Sequence, residues 1–342
     1  MDAACRRRHR RDLRVVAALA CLATSAALAA QTQVPVWPRE PDAPSAPKPA
    51  AASAAQSELV GEYESAAGGH LYLIERDGRL WTIVERGEPQ SFDPSGSNVD
   101  RGGGGVSGVR VGGAQFRRLQ VGPADGRQLQ IVPLRPVADA LQNALAATPP
   151  KEADPFRASD LVEVVTLDPS ITLEIRYATT NNFAGAVFYS QGRAFLQRPA
   201  AEAVVRANRA LKALGYGLRI HDGYRPWFVT KTFWDVTPAD KKWLVANPDQ
   251  GSKHNRGCAV DLTLYDLKTG AVIEMPSTYD ESTPRAYAFY PGGTSRQRWH
   301  RALLRRTMEA EGFTVNPEEW WHFDYKDWRE YAIGNVPFER LR

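Results

Sequence analysis

The pattern of apolar residues changes once along this chain, across a segment with three prolines at residues 137–158. Before this segment, apolar and polar residues alternate over short runs, as in β-strands. After it, helical and strand periodicities are mixed without strict alternation, which favours an α+β fold. Prolines between two such regions are typical of a linker. We therefore predict a small all-β module at 59–136, a linker at 137–158 that few contacts cross, and an α+β domain at 159–342.

The first of these regions contains several runs with strand character. Runs at 70–75 and 79–85 flank Arg76-Asp77-Gly78 and predict a hairpin. Further strands are predicted at 106–111, 115–121 and 128–134. The glycines at 102–105 predict the tip of another hairpin, because a phosphate-binding glycine loop lies between a strand and a helix, a context that does not surround this run.

The α+β region shows both periodicities. A stripe of small and aliphatic residues between Ala203 and Leu214 predicts a helix that ends before Gly215. A second helix is predicted at 299–311, followed by Gly312. Strands are predicted at 173–177, 218–221, 260–264 and 319–325.

Residues 1–29 combine six arginines, an alanine-rich apolar run and the small residues Ala27-Leu28-Ala29 in the order of a secretory signal. The apolar run is about 16 residues long, shorter than the roughly 20 that span a bilayer. We therefore predict a cleaved signal peptide, export to the periplasm or cell envelope, and no stable membrane span. Whether the signal is of the Sec, twin-arginine or lipoprotein type is left open. Residues 30–58, rich in proline, alanine and serine, predict a linker.

Charge and cysteine content narrow the class of protein further. The six arginines and two aspartates of residues 1–29 account for the whole net charge of +4, so the remainder is neutral and predicts no nucleic-acid partner. Cys5 and Cys21 lie within the predicted signal, which leaves Cys258 alone in the mature chain. Since no internal disulfide is then available, the fold depends on its apolar cores.

Two short motifs in the last region carry candidate metal ligands. The first places His254 and Asp261 seven residues apart around a glycine turn, and the second places Glu319 and His322 three residues apart. Two imidazoles and a carboxylate are ligands that zinc accepts in open catalytic sites. In a regular strand, residues three apart point to opposite faces, so Glu319 and His322 reach one site only across a bend or bulge.

Other histidines have weaker claims. His221 precedes Asp222 at the end of a predicted strand and is the nearest rival ligand, although a structural role is favoured because the two motifs already complete a three-ligand site. His70 and His300 have no partner motif and are predicted to be surface residues.

The pattern Ser-x-His-x-x-Gly-x-Ala-x-Asp at 252–261, followed by Glu-Trp-Trp-His-Phe at 319–323, resembles the zinc D-alanyl-D-alanine dipeptidases, the group that includes the vancomycin-resistance dipeptidases. Further segments agree with this family at 173–179, 182–185, 222–226 and 308–313. The resemblance covers 159–342 and leaves the β-module unexplained. It implies the α+β fold that D-Ala-D-Ala peptidases share with the signalling domain of hedgehog proteins.

The resemblance also implies site residues and a cofactor. One zinc ion per chain is implied, with the ligands His254, Asp261 and His322. Glu319 is implied as the general base and Arg225 as the residue that stabilises the transition state. Ser252 and Asp280 are implied as substrate-positioning residues. The sequence departs from the family pattern at Cys258 and over 278–293.

The implied function is that of an exported zinc metallopeptidase that hydrolyses the dipeptide D-alanyl-D-alanine. The alternatives are a related D,D-carboxypeptidase or endopeptidase that acts on longer peptidoglycan peptides, and a zinc-containing binding module without turnover. Glu319 argues against the binding module, because a structural zinc site does not need it. Peptidoglycan contact through the β-module is a further expectation. The sequence does not decide the physiological role or the oligomeric state.

Overall fold

The computed structural model describes residues 47–85, 87–120, 130–153 and 155–341. The predicted signal peptide at 1–29 and most of the predicted linker at 30–58 lie outside the described residues. Within the described ranges, no helix has both the length and the apolar character needed to cross a membrane.

The strands between residues 61 and 118 form an antiparallel sheet. Preceded by α1 (Ala54–Leu59), they are β1 (Gly61–Ser65), β2 (His70–Arg76), β3 (Arg79–Val84), β4 (Gln90–Ser91), β5 (Val99–Gly102), β6 (Gly105–Val111) and β7 (Ala114–Arg118). In the described ranges this sheet has seven strands in the order β4-β3-β2-β1-β7-β6-β5. The predicted hairpin at 70–85 is confirmed, and Asp77 and Gly78 have the positive φ angles that its tight turn requires. The predicted glycine hairpin tip at 102–105 is also confirmed.

The chain after β7 departs from the predicted strand and linker. Among the described residues of the predicted strand at 128–134, none is in a strand; Ile131 and Leu134 instead donate backbone hydrogen bonds to carbonyls of the α+β region. Part of the segment expected as a linker forms helix α2 (Val137–Leu145), whose Ala140 and Ala144 are fully buried in the core of that region. The physical reason is a small-residue stripe at helical spacing, which the composition of the segment obscures.

The remainder is a mixed α/β region. After α2 the elements are β8 (Leu161–Glu163), α3 (Val164–Leu167), β9 (Thr172–Leu173), β10 (Phe195–Gln197), α4 (Arg198–Lys212), β11 (Tyr216–Asp222), α5 (Trp227–Val236), β12 (Ala259–Asp266), α6 (Ser295–Ala310), β13 (Phe313–Asn316) and β14 (Glu319–Tyr325). As described, its main sheet has five strands in the order β13-β14-β12-β11-β9, antiparallel except for β11 and β9. The strand predicted at 173–177 is shorter than expected, because a 3-10 turn begins at Arg176.

Helices α4 and α6 pack against each other and cover this sheet. The predicted apolar stripe of α4 is confirmed in part: Ala203, Val204, Ala207 and Leu211 are fully buried. Ala210, also predicted to lie on the stripe, is exposed, and Leu214 lies beyond the end of the helix and is 57% exposed. Helix α6 begins at a capping box in which Thr294 accepts a hydrogen bond from the backbone of Gln297. The central strands β11, β12 and β14 are thereby held in a fixed register, and their ends carry the candidate site.

Few contacts were expected between the two regions, and here the structure differs. The described residues of both regions belong to one compact unit. The buried carboxylates of Glu62 and Glu75 in the seven-stranded sheet accept hydrogen bonds from Tyr290 and Ser295 of the mixed α/β region. Composition alone does not reveal such contacts, because they join residues more than 200 positions apart.

Candidate metal centre

Strand register brings two of the predicted ligands together. Strands β12 and β14 are antiparallel, and Asp261 lies directly opposite His322. Directly paired residues point to the same face of a sheet with their Cβ atoms about 5 Å apart. The apolar sequences that pair these strands therefore also place a carboxylate beside an imidazole.

The third predicted ligand, His254, lies in a 3-10 turn just before β12. Its Nδ1 is 2.7 Å from the carbonyl oxygen of Gly223, so this ring nitrogen carries the proton and Nε2 is left as a donor of electrons. The turn ends at Gly257, which has φ 69° and whose position would bring a Cβ to 2.5 Å from Leu161. Glycine is therefore required there on both conformational and steric grounds.

The three side chains form one cluster. The Nε2 of His254 lies 3.1 Å from Nδ1 of His322, which in turn lies 3.0 Å from Oδ1 of Asp261. The remaining separation, from His254 Nε2 to Asp261 Oδ1, is 3.5 Å. All three donor atoms lie within 4.8 Å of one another, so a single metal ion could contact each of them.

Neighbouring groups orient each member of this cluster. Asp324 Oδ1 lies 2.9 Å from Nε2 of His322, on the side of the ring that faces away from the cluster. Tyr279 donates a hydrogen bond of 3.0 Å to Oδ2 of Asp261, which leaves Oδ1 facing the histidines. Such outer partners fix ring orientation and raise ligand basicity in metal sites.

The electrostatics of the cluster favour a bound cation. Burial raises the pKa of Asp261, but His254 and His322 outweigh this effect and lower it. Burial lowers the pKa of His322, but the carboxylates of Asp261 and Asp324 outweigh it and raise the pKa well above its usual value. The pocket thus stabilises positive charge, and its nitrogen and oxygen donors fit a divalent ion such as zinc.

The expected irregularity between Glu319 and His322 is present. The pairing of β13 with β14 shifts register between Val315 and Asn316, so that Asn316 lies opposite Glu319. This bulge brings Oε2 of Glu319 to 3.6 Å from Nδ1 of His322. Asn316 donates a 3.0 Å hydrogen bond to the same oxygen. Burial raises the pKa of Glu319, partly offset by His322.

Arg225 lies beside this cluster in a largely apolar setting. The guanidinium is 4.8 Å from the ring centre of Phe233 and 5.2 Å from that of Tyr177. Its Nε and Nη2 both donate to Oδ2 of Asp222, at 3.0 and 2.7 Å. Burial lowers the pKa of Arg225, but Asp222 outweighs burial and raises it, so the group is held charged and fixed in position.

The structure gives the two predicted substrate-positioning residues local roles near the site. Ser252 Oγ accepts a 3.2 Å hydrogen bond from the backbone N–H of His254. Asp280 has φ 59°, a strained value for a residue with a side chain, and its carboxylate accepts a 3.0 Å hydrogen bond from Tyr177. Asp280 is thereby tied to the aromatic ring that lies against Arg225.

The other histidines lie outside the cluster. His221 is buried and stacks on Tyr279 at 4.6 Å, and burial together with Arg176 lowers its pKa to about 4. It is therefore neutral at physiological pH. The expectation that His300 is a surface residue is wrong, because it is only 4% exposed and Tyr216 lies within hydrogen-bonding distance at 3.0 Å.

Sequence reasoning missed three residues that shape the site. Asp324 follows His322 by two positions, and strand periodicity could have placed it on the same face. Asp222 lies three residues before Arg225, and this i, i+3 spacing of opposite charges could have indicated their ion pair. Tyr279 lies in a long loop without periodicity, and no local pattern indicates its contact with Asp261.

Two imidazole nitrogens and a carboxylate oxygen, buried on and beside paired strands and flanked by a second carboxylate, define the site of a metallohydrolase. A family model described as D-ala-D-ala dipeptidase matches residues 157–334. The chain belongs to this family, and it is a zinc metallopeptidase.

Individual relatives agree with this assignment. The D-alanyl-D-alanine dipeptidase of Escherichia coli strain K12 is 31% identical over 175 residues, which cover 51% of this chain and 89% of that protein. The protein of the same name from Enterococcus faecalis strain V583 is 33% identical over 172 residues, which cover 45% of this chain and 85% of the relative. The protein of the same name from Streptomyces coelicolor is 31% identical over 186 residues, which cover 49% of this chain and 92% of the relative.

Proposed function

We propose that this chain hydrolyses the dipeptide D-alanyl-D-alanine, with one zinc ion per chain held by His254, Asp261 and His322. The observation that carries the proposal is the buried three-donor cluster with the Glu319 carboxylate 3.6 Å from one of its members. The relatives described above support the substrate, because each is named a D-alanyl-D-alanine dipeptidase.

The protein contributes to metal binding by orienting the ring nitrogens of two histidines. Gly223 and Asp324 lie within hydrogen-bonding distance of the far ring nitrogens of His254 and His322, which orients the opposite nitrogens toward the cluster as ligands for a metal ion. When bound, zinc supplies electrophilic chemistry by polarising an amide carbonyl and acidifying water.

Glu319 supplies the proton transfers. As a carboxylate at the edge of the cluster it accepts a proton from the attacking water, and it then returns that proton to the leaving amine. Burial raises the pKa of Glu319, which makes it a better base than an exposed carboxylate. Asn316 holds one of its oxygens in place.

Arg225 stabilises the negative charge that develops on the carbonyl oxygen. Asp222 occupies the Nε N–H and one of the two N–H groups of Nη2, so the second Nη2 N–H and the Nη1 group are the donors left for an oxyanion. A guanidinium fixed in a pocket with little water needs no reorganisation during the reaction. On this proposal, Ser252 and Asp280 position the substrate.

The experiment that tests the proposal combines metal analysis with an amine-release assay on D-alanyl-D-alanine. One zinc per chain and turnover of the free dipeptide are expected. Turnover of an N-acylated analogue in preference to the dipeptide would favour a carboxypeptidase or endopeptidase of longer peptidoglycan peptides. Zinc without turnover of either substrate would favour a binding module.

We propose further that the chain is exported to the periplasm or cell envelope, that residues 159–342 share the fold of hedgehog signalling domains, and that the seven-stranded sheet contacts peptidoglycan. The signal-like order of residues 1–29 supports export. Amino-terminal sequencing of the mature protein from the producing cell tests this, and an intact residue 1 would contradict it. Co-sedimentation of the protein with isolated cell wall tests the proposed contact between the seven-stranded sheet and peptidoglycan.

A further inference from the structure

The loop between β12 and α6, residues 267–294, reaches the metal cluster at its middle. Tyr279 is 3% exposed and donates a 3.0 Å hydrogen bond to Oδ2 of Asp261. The next residue, Asp280, accepts a hydrogen bond from Tyr177 beside Arg225. One loop residue therefore contacts Asp261 of the cluster, and the next contacts the tyrosine whose ring lies against Arg225.

The far end of the same loop is held by the seven-stranded sheet. Tyr290 is 2% exposed, and its hydroxyl donates a 2.7 Å hydrogen bond to Oε1 of Glu62 in β1. Its ring packs on Tyr72 at 5.7 Å and belongs to a small core with Ile74 and Ile83. This core joins β2 and β3 to the loop.

A second attachment lies where the loop enters α6. Glu75 is 1% exposed, and its Oε2 accepts a 2.9 Å hydrogen bond from the backbone N–H of Ser295. The carbonyl oxygen of Glu75 accepts a 2.9 Å bond from Nη2 of the buried Arg298, whose Nη1 donates to Gly293. A carboxylate at the first turn also stabilises the helix dipole.

Homology does not account for this arrangement. The family model begins at residue 157. The region shared with the E. coli relative covers 89% of that protein but only 51% of this chain. The seven-stranded sheet thus lies outside the part of the chain that its relatives match. Its contact with Tyr290 falls within the 278–293 segment, where the sequence also departs from the family pattern, and its contacts with Ser295 and Arg298 lie just beyond that segment.

We propose that the seven-stranded sheet is a positioning element of the catalytic site, and that Tyr290 and Glu62 are positioning residues that act on Asp261 through Tyr279. The inference rests on the proposed function. A long loop anchored only at its strand and helix samples many conformations, and each added anchor lowers the entropy cost of holding Tyr279 against its acceptor. Ligands held by a supporting shell bind metal more tightly.

The test compares Tyr290→Phe, which removes only the hydroxyl that reaches Glu62, with Tyr63→Phe as a matched control. Tyr63 is likewise buried in the sheet, but its hydroxyl donates to Leu59 within the same region. In the full chain without metal, hydrogen exchange of the amides in 276–294 is expected to speed up about fivefold in Tyr290→Phe, the effect of one lost hydrogen bond. The control should leave these rates unchanged.

Zinc affinity provides the second measurement. The zinc dissociation constant is expected to rise about fivefold in Tyr290→Phe and in Glu62→Ala, and to stay unchanged in Tyr63→Phe. In a Tyr279→Phe background the Tyr290→Phe substitution should have no further effect, because the connection to Asp261 is already cut.

Two outcomes would overturn the inference: equal exchange rates in the 276–294 amides of Tyr290→Phe and Tyr63→Phe, or full additivity of the Tyr290 and Tyr279 substitutions on zinc affinity. Glu62→Ala guards against a folding defect of the tyrosine variant, since it removes the acceptor of the same bond. Neither measurement uses a substrate, so a failure to hydrolyse D-alanyl-D-alanine would contradict the proposed function without deciding this one.

Discussion

Glu319 is the residue whose chemistry is most easily isolated by substitution. Glu319→Gln preserves the size of the side chain and its contact with Asn316, but the amide cannot accept a proton from water. We predict that kcat falls by about 10²- to 10⁴-fold, the usual contribution of a general base, while zinc content stays at the wild-type level. Steady-state kinetics with metal analysis checks this. Turnover within a few-fold of wild type would assign the base to another group.

His300 offers a pH-dependent test at the residue scale. Burial, with Lys48 and Arg296 nearby, lowers its pKa to about 4 from the 6.5 expected in the unfolded chain. Between pH 4 and 6.5, His300 is protonated in the unfolded chain but neutral in the folded one. The stability that neutral His300 contributes is therefore present above pH 6.5 and is lost as the pH falls toward 4. The full loss is about 3 kcal/mol.

We therefore predict that His300→Gln weakens the pH dependence of stability. Urea unfolding at pH 7 and pH 5 should show a smaller decrease in the free energy of unfolding for the variant than for wild type. An equal decrease in both proteins would show that His300 titrates normally when folded.

Short motifs point to the candidate metal ligands and the candidate base but not to the residues that orient them. His254, Asp261, His322 and Glu319 stand in two compact motifs, and all four could be singled out from residue type and spacing alone. Asp222 and Tyr279 could not, because their roles depend on which chain segments meet in space. The same limit explains His300, whose burial results from packing between α6 and β11.

At the scale of elements, strand and helix periodicity predicted most of the sheet that carries the site. The strand predicted at 319–325 has the observed bounds, and the bulge required by the spacing of Glu319 and His322 is present. Helix α2 was missed because prolines further along the 137–158 segment dominated its interpretation. Val137, Ala140, Leu141 and Ala144 nevertheless repeat at helical spacing and face the core.

The burial of α2 leads to a prediction with an internal control. Ala140→Asp places a carboxylate in a fully buried position without a partner, whereas Ala138→Asp places one on the exposed face of the same helix. We expect the first substitution to lower the free energy of unfolding by about 3–5 kcal/mol and the second to change it by less than about 0.5 kcal/mol. Equal effects in urea unfolding would mean that α2 is not part of the core.

At the scale of the whole molecule, composition suggested two regions joined by a linker, whereas the described residues of both regions belong to one compact unit. The contacts responsible involve buried charged groups: Glu62 and Glu75 on the sheet, and Arg298 on α6. Separating the regions would remove one partner from each of these groups, although Glu62 would keep His70, Glu75 the Gly78 N–H and Arg298 the Gly293 carbonyl. Each lost hydrogen bond to a buried charged group costs about 1–3 kcal/mol. Local sequence patterns carry no signal for such pairs.

We accordingly predict that the sheet and the mixed α/β region unfold together. Hydrogen exchange measured across a urea series should give coincident transitions for peptides from 61–118 and from 195–325, because the buried pairs of Glu62 and Glu75 couple the two sets of strands. Glu75→Ala removes the carboxylate that caps α6 at Ser295, and it should lower both transition midpoints together rather than that of the sheet alone. If the 61–118 peptides exchanged at a distinctly lower urea concentration in the wild-type protein, the sheet would be an independent module, as the proline-containing segment first indicated, and its contacts with the 267–294 loop would be too weak to hold that loop in place.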